Sequence, residues 1–170
     1  LMTWIVWRYV HYLERKNRME QHAILSQLTA LKSQMNPHFI FNALNSIQAY
    51  ITRKDTRSAN YYLSRFSSLM RNILEMSERE TNPLAQELKN LEVYLELEAV
   101  RFDEDFQYHI EVDPDLDPYE IQIPSMLVQP YIENAIKHGL LHKKGPGRLW
   151  IRFKYLAEGM LVCEVEDNGI

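Results

Sequence analysis

The chain has 170 residues, of which 46% are hydrophobic and 25% are charged, and its formal net charge is −4. This composition is typical of a globular protein of one or two domains and excludes a disordered chain. The negative charge without a basic stripe argues against direct nucleic-acid binding, and the single cysteine, Cys163, excludes an internal disulfide and suits a reducing compartment.

The first ten residues, LMTWIVWRYV, are mostly apolar and include two tryptophans. Ten residues are too few to cross a bilayer, which takes about 20. Interfacial tryptophans followed by Arg8, Arg15, Lys16 and Arg18 are nevertheless typical of the cytoplasmic end of a membrane helix. We therefore expect residues 1–10 to be that end and to tether the protein to a membrane. The start of an amphipathic helix, or a core segment, is the alternative.

Residues 11–35 contain neither glycine nor proline, and one helical face carries Ile24, Leu28, Leu31 and Met35. This spacing also suits the seam of a two-stranded coiled coil. The segment is predicted to be a linker helix that pairs with a partner, most simply with a copy of itself.

Residues 36–78 predict two amphipathic helices separated by the polar loop 52–58. The apolar stripes are Ile40, Leu44, Ile47 and Ile51 on the first helix, and Tyr62, Phe66, Leu69 and Ile73 on the second. Two amphipathic helices joined by a short loop form a helical hairpin. Two such hairpins would cover their stripes in a four-helix bundle, so the hairpin is predicted to dimerise.

A third amphipathic helix is predicted from the segment 79–102. Asn82 is expected to cap this helix, with Pro83 at its first position. Its apolar residues are Leu84, Leu88, Leu91 and Leu95, and it is expected to run to about Phe102.

Beyond Phe102 the apolar period changes to two, which is typical of half-buried strands. The alternating residues are Phe106, Tyr108, Ile110 and Val112, then Tyr119, Ile121 and Ile123, then Leu149, Ile151, Phe153 and Tyr155, and finally Leu161, Cys163 and Val165. Between the second and third runs, Ser125 is expected to cap a helix that Gly139 ends. The predicted fold class is α plus α/β: a helical module followed by an α/β sandwich with helices over one sheet face.

A histidine follows a helix break in SQMNPHFIFNALNSI. Asn36 can cap a new helical segment and Pro37 suits its first position, so His38 falls in the first turn. Asn42 and Asn45 continue a polar strip beside the apolar stripe. An exposed imidazole with a free ring nitrogen can be a nucleophile, although a surface histidine at a helix start is more often functionally silent.

Three long motifs, QMNPHFIFNALNSI, LAQELKNLEVYLELEAVRF and IPSMLVQPYIENAIKHG, together resemble the LytS-type sensor histidine kinase family. The resemblance extends from about residue 25 to the end of the chain. It implies a dimerisation and phosphotransfer hairpin in residues 36–78 and an ATP-binding domain of the gyrase and Hsp90 type in residues 79–170. It also implies that His38 accepts phosphate from ATP and that Asn42 orients water when a partner is dephosphorylated.

The third motif carries the nucleotide residues that the resemblance implies. Asn134 would bind Mg²⁺, which needs only one or two protein oxygens besides water and phosphate. His138 and Lys137 would share the helical face of Asn134, and Lys137 would offset phosphate charge or form a surface pair with Glu133. Glu133 is a candidate base. Pro130 can neither activate water nor bind metal, which favours phosphoryl transfer to a histidine over ATP hydrolysis.

The chain closes with Glu-Asp-Asn-Gly at 166–169. The resemblance makes Asp167 the acceptor for the adenine amino group, and Gly169 lets the backbone turn close to the base. A plain Asn-Gly hairpin turn is the alternative. Because the family continues into a glycine-rich lid and further elements, this chain is expected to be an incomplete ATP-binding domain that holds nucleotide poorly.

The implied function is that of a sensor histidine kinase at the bacterial cytoplasmic membrane. With ATP and Mg²⁺ it would phosphorylate His38 and pass the phosphoryl group to an aspartate of a response regulator, of the LytTR type. A membrane-tethered dimeric scaffold with a degenerate nucleotide domain is the alternative, with which Pro130 and the missing lid are both compatible. A zinc site at His138 and His142 is a third interpretation, weakened by Gly139 between them.

Overall fold

The computed structural model describes residues 37–102, 106–156 and 160–170. The predicted membrane end, the predicted linker helix and Asn36 lie outside these residues. No helix in the described part of the chain is long and apolar enough to cross a membrane. The chain divides into two compact units, Leu1–Ile40 and Phe41–Ile170. Of the first unit, the structure describes residues 37–40, which begin a helix.

The described residues form four α-helices and five strands. In order they are α1 (Pro37–Thr52), α2 (Thr56–Ser77), β1 (Thr81–Pro83), α3 (Leu84–Ala99), β2 (Phe106–Val112), β3 (Gln122–Pro124), α4 (Gln129–Asn134), β4 (Gly147–Leu156) and β5 (Met160–Asp167). A 3₁₀ turn, Val100–Phe102, extends α3, and a π-helical turn, Ala135–Leu140, extends α4. The chain therefore has the mixed helix-and-sheet composition that the sequence predicts.

The buried face of α1 differs from the predicted stripe. Within the predicted set only Ile47 is buried, whereas Leu44 is 49% and Ile51 63% exposed. The buried side chains are Phe39, Ala43 and Ile47, which recur every four residues. Helix α1 carries apolar residues on two faces, so its periodicity alone did not indicate which face is covered within one chain.

The predicted stripe of α2 is largely confirmed, because Tyr62, Leu69 and Ile73 are buried. Asp55 caps the helix by accepting a hydrogen bond from Ser58 N at 3.0 Å. The helix lies along α3, and their contacts include both apolar burial and hydrogen bonds. The bonds join Tyr62 Oη to Leu97 O at 3.1 Å, Asn72 Nδ2 to Asn90 Oδ1 at 2.9 Å, and both Tyr61 and Arg65 to the Glu96 carboxylate.

The predicted caps at Asn82 and Ser125 are wrong. Asn82 lies in β1, which pairs antiparallel with β3 opposite Ile123. Its buried Nδ2 donates to Ser125 Oγ at 2.6 Å and to Met76 O at 3.3 Å. Ser125 Oγ donates to Arg79 O at 2.6 Å, and α4 begins only at Gln129. Both side chains therefore join distant segments of the chain instead of capping the nearest helix.

The predicted end of α4 at Gly139 is also wrong. The helix passes into a π-helical turn that closes with a hydrogen bond from Leu141 N to Ile136 O at 2.9 Å. Gly139 is buried inside this turn. Because Gly139 has no side chain, it leaves room for the Asp167 carboxylate. The local sequence does not reveal this neighbour.

Three strands form one sheet in the order β2–β4–β5, with β2 parallel and β5 antiparallel to β4. The predicted alternation is confirmed in β4, where Leu149, Ile151 and Phe153 are buried. The shorter predicted alternation is only partly observed, since the strand is limited to β3, with Ile123 buried and Tyr119 exposed in a turn. Strand β3 pairs with β1 in a separate two-stranded sheet.

Candidate functional site

His38 lies in the first turn of α1, directly after Pro37, and its side chain is exposed. This is the location that the sequence predicts. Asn42 follows one helical turn later and is half-buried. The helix therefore presents an imidazole to solvent at its start, where a proline removes no intrahelical hydrogen bond.

The turn after β5 brings Asp167 and Gly169 against Gly139. Gly169 N donates to Asp167 Oδ1 at 2.8 Å, and Ile170 N donates to Gly139 O at 3.3 Å. A Cβ added to Gly139 would overlap the Asp167 carboxylate, and one added to Gly169 would overlap the Gly139 backbone. Gly169 is therefore required to be glycine because backbone lies against it, whereas a side chain at position 139 would have to displace the Asp167 carboxylate. The Asp167 side chain itself is exposed.

The same turn is tied to the loop that precedes β4. Asn168 N donates to Arg148 O at 3.1 Å, and Arg148 N donates back to Asn168 Oδ1 at 2.8 Å. Asn168 Nδ2 donates to Pro146 O at 3.3 Å, and Lys143 Nζ donates to Asn168 O at 2.7 Å. The residue after Asp167 is thus held in place by four hydrogen bonds, one of them from Lys143, which the sequence did not single out.

The other predicted nucleotide residues lie along α4 and its π-helical extension. Asn134, Lys137 and His138 are exposed. Glu133 is half-buried, and its Oε1 accepts a hydrogen bond from Gln129 Nε2 at 2.9 Å. Because the π-helical turn begins directly after Asn134, the spacing to Lys137 and His138 departs from the regular α-helix on which their predicted shared face was based.

A buried carboxylate, Glu87, was missed by the sequence reading. Its side chain is 3% exposed and Oε1 has no hydrogen-bond partner, while the backbone N–H groups of Met126 and Val128 donate to the carboxylate. Burial raises the pKa of Glu87 to about 7, and these two bonds oppose the rise. A signal existed, because Glu87 is three residues from Leu84 and four from Leu91, on the apolar stripe of α3.

A second buried glutamate, Glu98, lies one heptad beyond Leu91 on the same stripe. It forms an ion pair with Arg101. Burial raises the pKa of Glu98, and Arg101 opposes that rise. The negative charge of Glu133 also raises the pKa of Glu98.

An apolar cavity of about 350 Å³ lies between the start of α4 and β5. Its lining residues are Leu127, Val128, Tyr131, Cys163 and Val165. Burial raises the pKa of the Cys163 thiol to about 11, so the thiol is protonated at neutral pH. Within residues 37–102, 106–156 and 160–170, no group of three His, Cys, Asp or Glu residues could hold a metal ion. A zinc site at His138 and His142 therefore gains no further ligands from these residues.

The sequence matches known histidine kinases. A family model described as Histidine kinase matches residues 26–106. Sensor histidine kinase BtsS of Escherichia coli K12 is 39% identical over 153 residues, which are 88% of this chain and 26% of that protein. Sensor protein LytS of Staphylococcus saprophyticus is 34% identical over 144 residues, 85% of this chain and 24% of that protein. Sensor protein LytS of Streptococcus agalactiae serotype V is 31% identical over 157 residues, which are 92% of this chain and 26% of that protein.

The exposed histidine in its motif, the mixed helix-and-sheet fold and these matches place the chain in the family of sensor histidine kinases. More narrowly, the chain belongs to the LytS-type sensor histidine kinase family. It spans about a quarter of the length of the curated relatives that it matches.

Proposed function

We propose that the protein containing this chain phosphorylates His38 with ATP and transfers the phosphoryl group to an aspartate of a response regulator. The observation that carries the proposal is the exposed imidazole of His38 in the first turn of α1, in a member of a histidine kinase family. The regulator would be of the LytTR type, and residues 1–10 would hold the protein at the bacterial cytoplasmic membrane.

The reaction requires a ring nitrogen of neutral His38 as the nucleophile. A phosphorus–nitrogen bond forms at the γ-phosphate while the bond from that phosphorus to the bridging oxygen breaks, and ADP leaves with the electron pair. Asn42, one turn along α1, would orient water in the dephosphorylation of a partner. Glu133 remains the candidate base, and its hydrogen bond from Gln129 would hold the carboxylate in place.

The exposed side chains around α4 and the β5 turn fit a magnesium nucleotide. Asn134 offers one amide oxygen, which suits Mg²⁺, and when bound the ion would offset charge on the phosphate oxygens. Lys137 and His138 would face the phosphates. The Asp167 carboxylate can accept further hydrogen bonds besides that from Gly169 N, so it can also accept one from the adenine amino group.

Pro130 supports transfer to histidine over hydrolysis. It is exposed in the first turn of α4, one turn before Asn134. A proline side chain has no group that could activate water or bind metal. The same residue is compatible with the scaffold alternative, in which the nucleotide domain is degenerate.

The test of the kinase is incubation of the full-length protein with ATP radiolabelled in the γ-phosphate. We expect label on the protein that is lost in acid and retained in base. The scaffold predicts neither label nor nucleotide binding, so measuring ATP binding by calorimetry in parallel separates the two functions.

The close approach of Gly139 to Asp167 makes a prediction about nucleotide affinity. In Gly139→Ala the new Cβ would overlap the carboxylate, which is the end of a flexible side chain and can move without unfolding the domain. We expect ATP affinity to fall about tenfold, the size of one lost charged hydrogen bond. Calorimetric titration of the full-length protein measures this change.

Gly145→Ala is the matched control for Gly139→Ala. A Cβ at Gly145 meets nothing within 4 Å, although its φ of +96° will cost about 1 kcal/mol of stability. Its ATP affinity should match that of the wild type. Unchanged ATP affinity in Gly139→Ala would remove the proposed role of Asp167.

We also propose that the protein is a homodimer through α1 and α2. A second apolar face remains exposed on both helices within one chain. Its side chains are Phe41, Leu44 and Ile51 on α1, and Leu63 and Leu74 on α2. Each set lies on one side of its helix, and a second copy of the hairpin would cover both sets in a four-helix bundle.

Polar substitution of this face should weaken the dimer. We expect the double variant Leu63→Asn and Leu74→Asn to sediment as a monomer at concentrations where the wild type is dimeric, because the buried apolar area would be lost. Tyr119→Ser, which changes an exposed aromatic in the turn before β3, is the control and should leave the dimer intact. Sedimentation of the double variant as a dimer would reject this interface.

A further inference from the structure

The peptide group between Asn168 and Gly169 connects two charged side chains. Its carbonyl oxygen, Asn168 O, accepts a hydrogen bond from Lys143 Nζ at 2.7 Å. Its N–H, on Gly169, donates to Asp167 Oδ1 at 2.8 Å. A peptide group is planar and rigid. The Lys143 ammonium, which fixes one end of this group, therefore also fixes the direction of the N–H that binds the Asp167 carboxylate at the other end.

We propose that Lys143 and Asn168 are positioning residues that orient the Asp167 carboxylate for recognition of the exocyclic amino group of adenine. This inference rests on the proposed function, in which Asp167 contacts the base. Lys143 lies outside the three family motifs, in the loop between the π-helical turn and β4, and acts on the base only through Asp167.

Lys143 orients the carboxylate by fixing the peptide plane. Asp167 is exposed, and a solvent-exposed carboxylate is otherwise free to rotate about its side-chain torsions. The bond from Gly169 N restrains this rotation only while the peptide keeps its orientation. A charge-assisted bond from the half-buried Lys143 ammonium to the carbonyl end holds that orientation. Affinity for the amino group then benefits from a carboxylate that is ordered before binding.

Asn168 fixes the same turn from its side chain. Oδ1 accepts from Arg148 N at 2.8 Å and Nδ2 donates to Pro146 O at 3.3 Å, so the amide spans the loop before β4. The backbone bond from Asn168 N to Arg148 O adds a third connection. These three bonds fix Asn168 against the loop before β4, and the bond from Lys143 then fixes the orientation of the Asn168–Gly169 peptide.

The test compares two nucleotides on the full-length protein: ATP, and purine riboside triphosphate, which lacks the amino group. We expect the wild type to prefer ATP. Lys143→Met removes the donor with little change in length, and should reduce this preference about tenfold while affinity for the analogue stays within about twofold. Lys143→Arg retains a cationic donor and should recover most of the preference. Lys144→Met changes the exposed neighbouring lysine and should prefer ATP over the analogue as strongly as the wild type does.

A double variant tests whether Lys143 acts through Asp167. Once Asp167→Ala has removed the acceptor at this position, adding Lys143→Met should not reduce the preference for ATP further. Equal losses of affinity for both nucleotides in Lys143→Met would mean that Lys143 serves the phosphates or the fold, and would overturn the inference. An unchanged preference would overturn it as well.

The outcomes for the wild type separate this inference from the proposed function. A wild-type protein that binds neither nucleotide contradicts the kinase function, and the inference falls with it. A wild type that binds ATP and the analogue equally keeps the kinase but removes the base contact at Asp167, and with it the inference. A wild type that prefers ATP, beside a Lys143→Met variant with the same preference, refutes the inference alone.

Discussion

The His38→Gln variant should incorporate no more γ-phosphate from ATP than background. Glutamine is polar and suits the exposed first turn of α1, so the helix is expected to form normally. Its amide nitrogen has no available lone pair, because that pair is delocalised into the carbonyl, and it cannot replace the imidazole as a nucleophile. ATP binding should be unchanged, because the proposed nucleotide residues lie on α4 and after β5.

The control for this variant is another exposed histidine, His109 on β2. His109→Gln should be labelled as strongly as the wild type, which excludes a general effect of losing one imidazole. Acid-labile label and ATP affinity are measured on the same preparations. Equal labelling of His38→Gln and the wild type would reject His38 as the phosphoacceptor.

Ionisation of the buried Glu87 carboxyl should make the free energy of unfolding depend on pH. The folded state raises the pKa of this carboxyl from 4.5 to about 7, chiefly because it is buried. Between these values the folded protein holds a proton that the unfolded chain has released. Stability therefore decreases as pH rises from 4.5 to about 7, and it levels off above that. At about 1.4 kcal/mol per pH unit, the loss from this group is roughly 3 kcal/mol.

Glu87→Gln should remove most of this loss. Glutamine resembles the protonated carboxyl in shape, keeps an oxygen that can accept from Met126 N or Val128 N, and does not ionise. Chemical denaturation at a series of pH values should show a shallower decline for this variant, leaving the smaller decline that buried Glu98 adds in the same direction. Its advantage over the wild type should be greatest above about pH 7.

Glu92→Gln is the matched control for this experiment, because Glu92 is an exposed glutamate on the same helix. Its pH profile should follow that of the wild type. If the stability of Glu87→Gln declines with pH as steeply as that of the wild type, burial does not raise the pKa of Glu87.

Local patterns in the sequence predicted most of the secondary structure. The helical spacing of Tyr62, Leu69 and Ile73, seven and then four residues, indicated the buried face of α2, and the two-residue alternation of Leu149 and Ile151 indicated β4. Both patterns depend only on how successive side chains project from a helix or a strand. Where one face is apolar and the other polar, this geometry is enough to say which side chains are buried.

The family was also determined by the sequence, because three long motifs occur in one order and place His38 after Pro37. Residues that act through chemistry of their own, such as an exposed imidazole or an amide, can be found in such a motif. Glu87 could have been found in the same way from its place on the apolar stripe of α3, whereas Lys143 has no local signature that distinguishes it from a surface lysine.

Tertiary structure alone decided how distant segments use the same side chains. It buried Phe39 and Ala43 on α1 and left Leu44 exposed. It engaged Asn82 in β1 rather than at a helix cap, and it placed Gly139 beneath Asp167. The physical reason is common to these cases. Which side chain caps a helix, which helix face is buried and which glycine is in close contact depend on the distant segments that pack against each of them. Residues many positions apart, as Gly139 and Asp167 are, meet only in the folded chain.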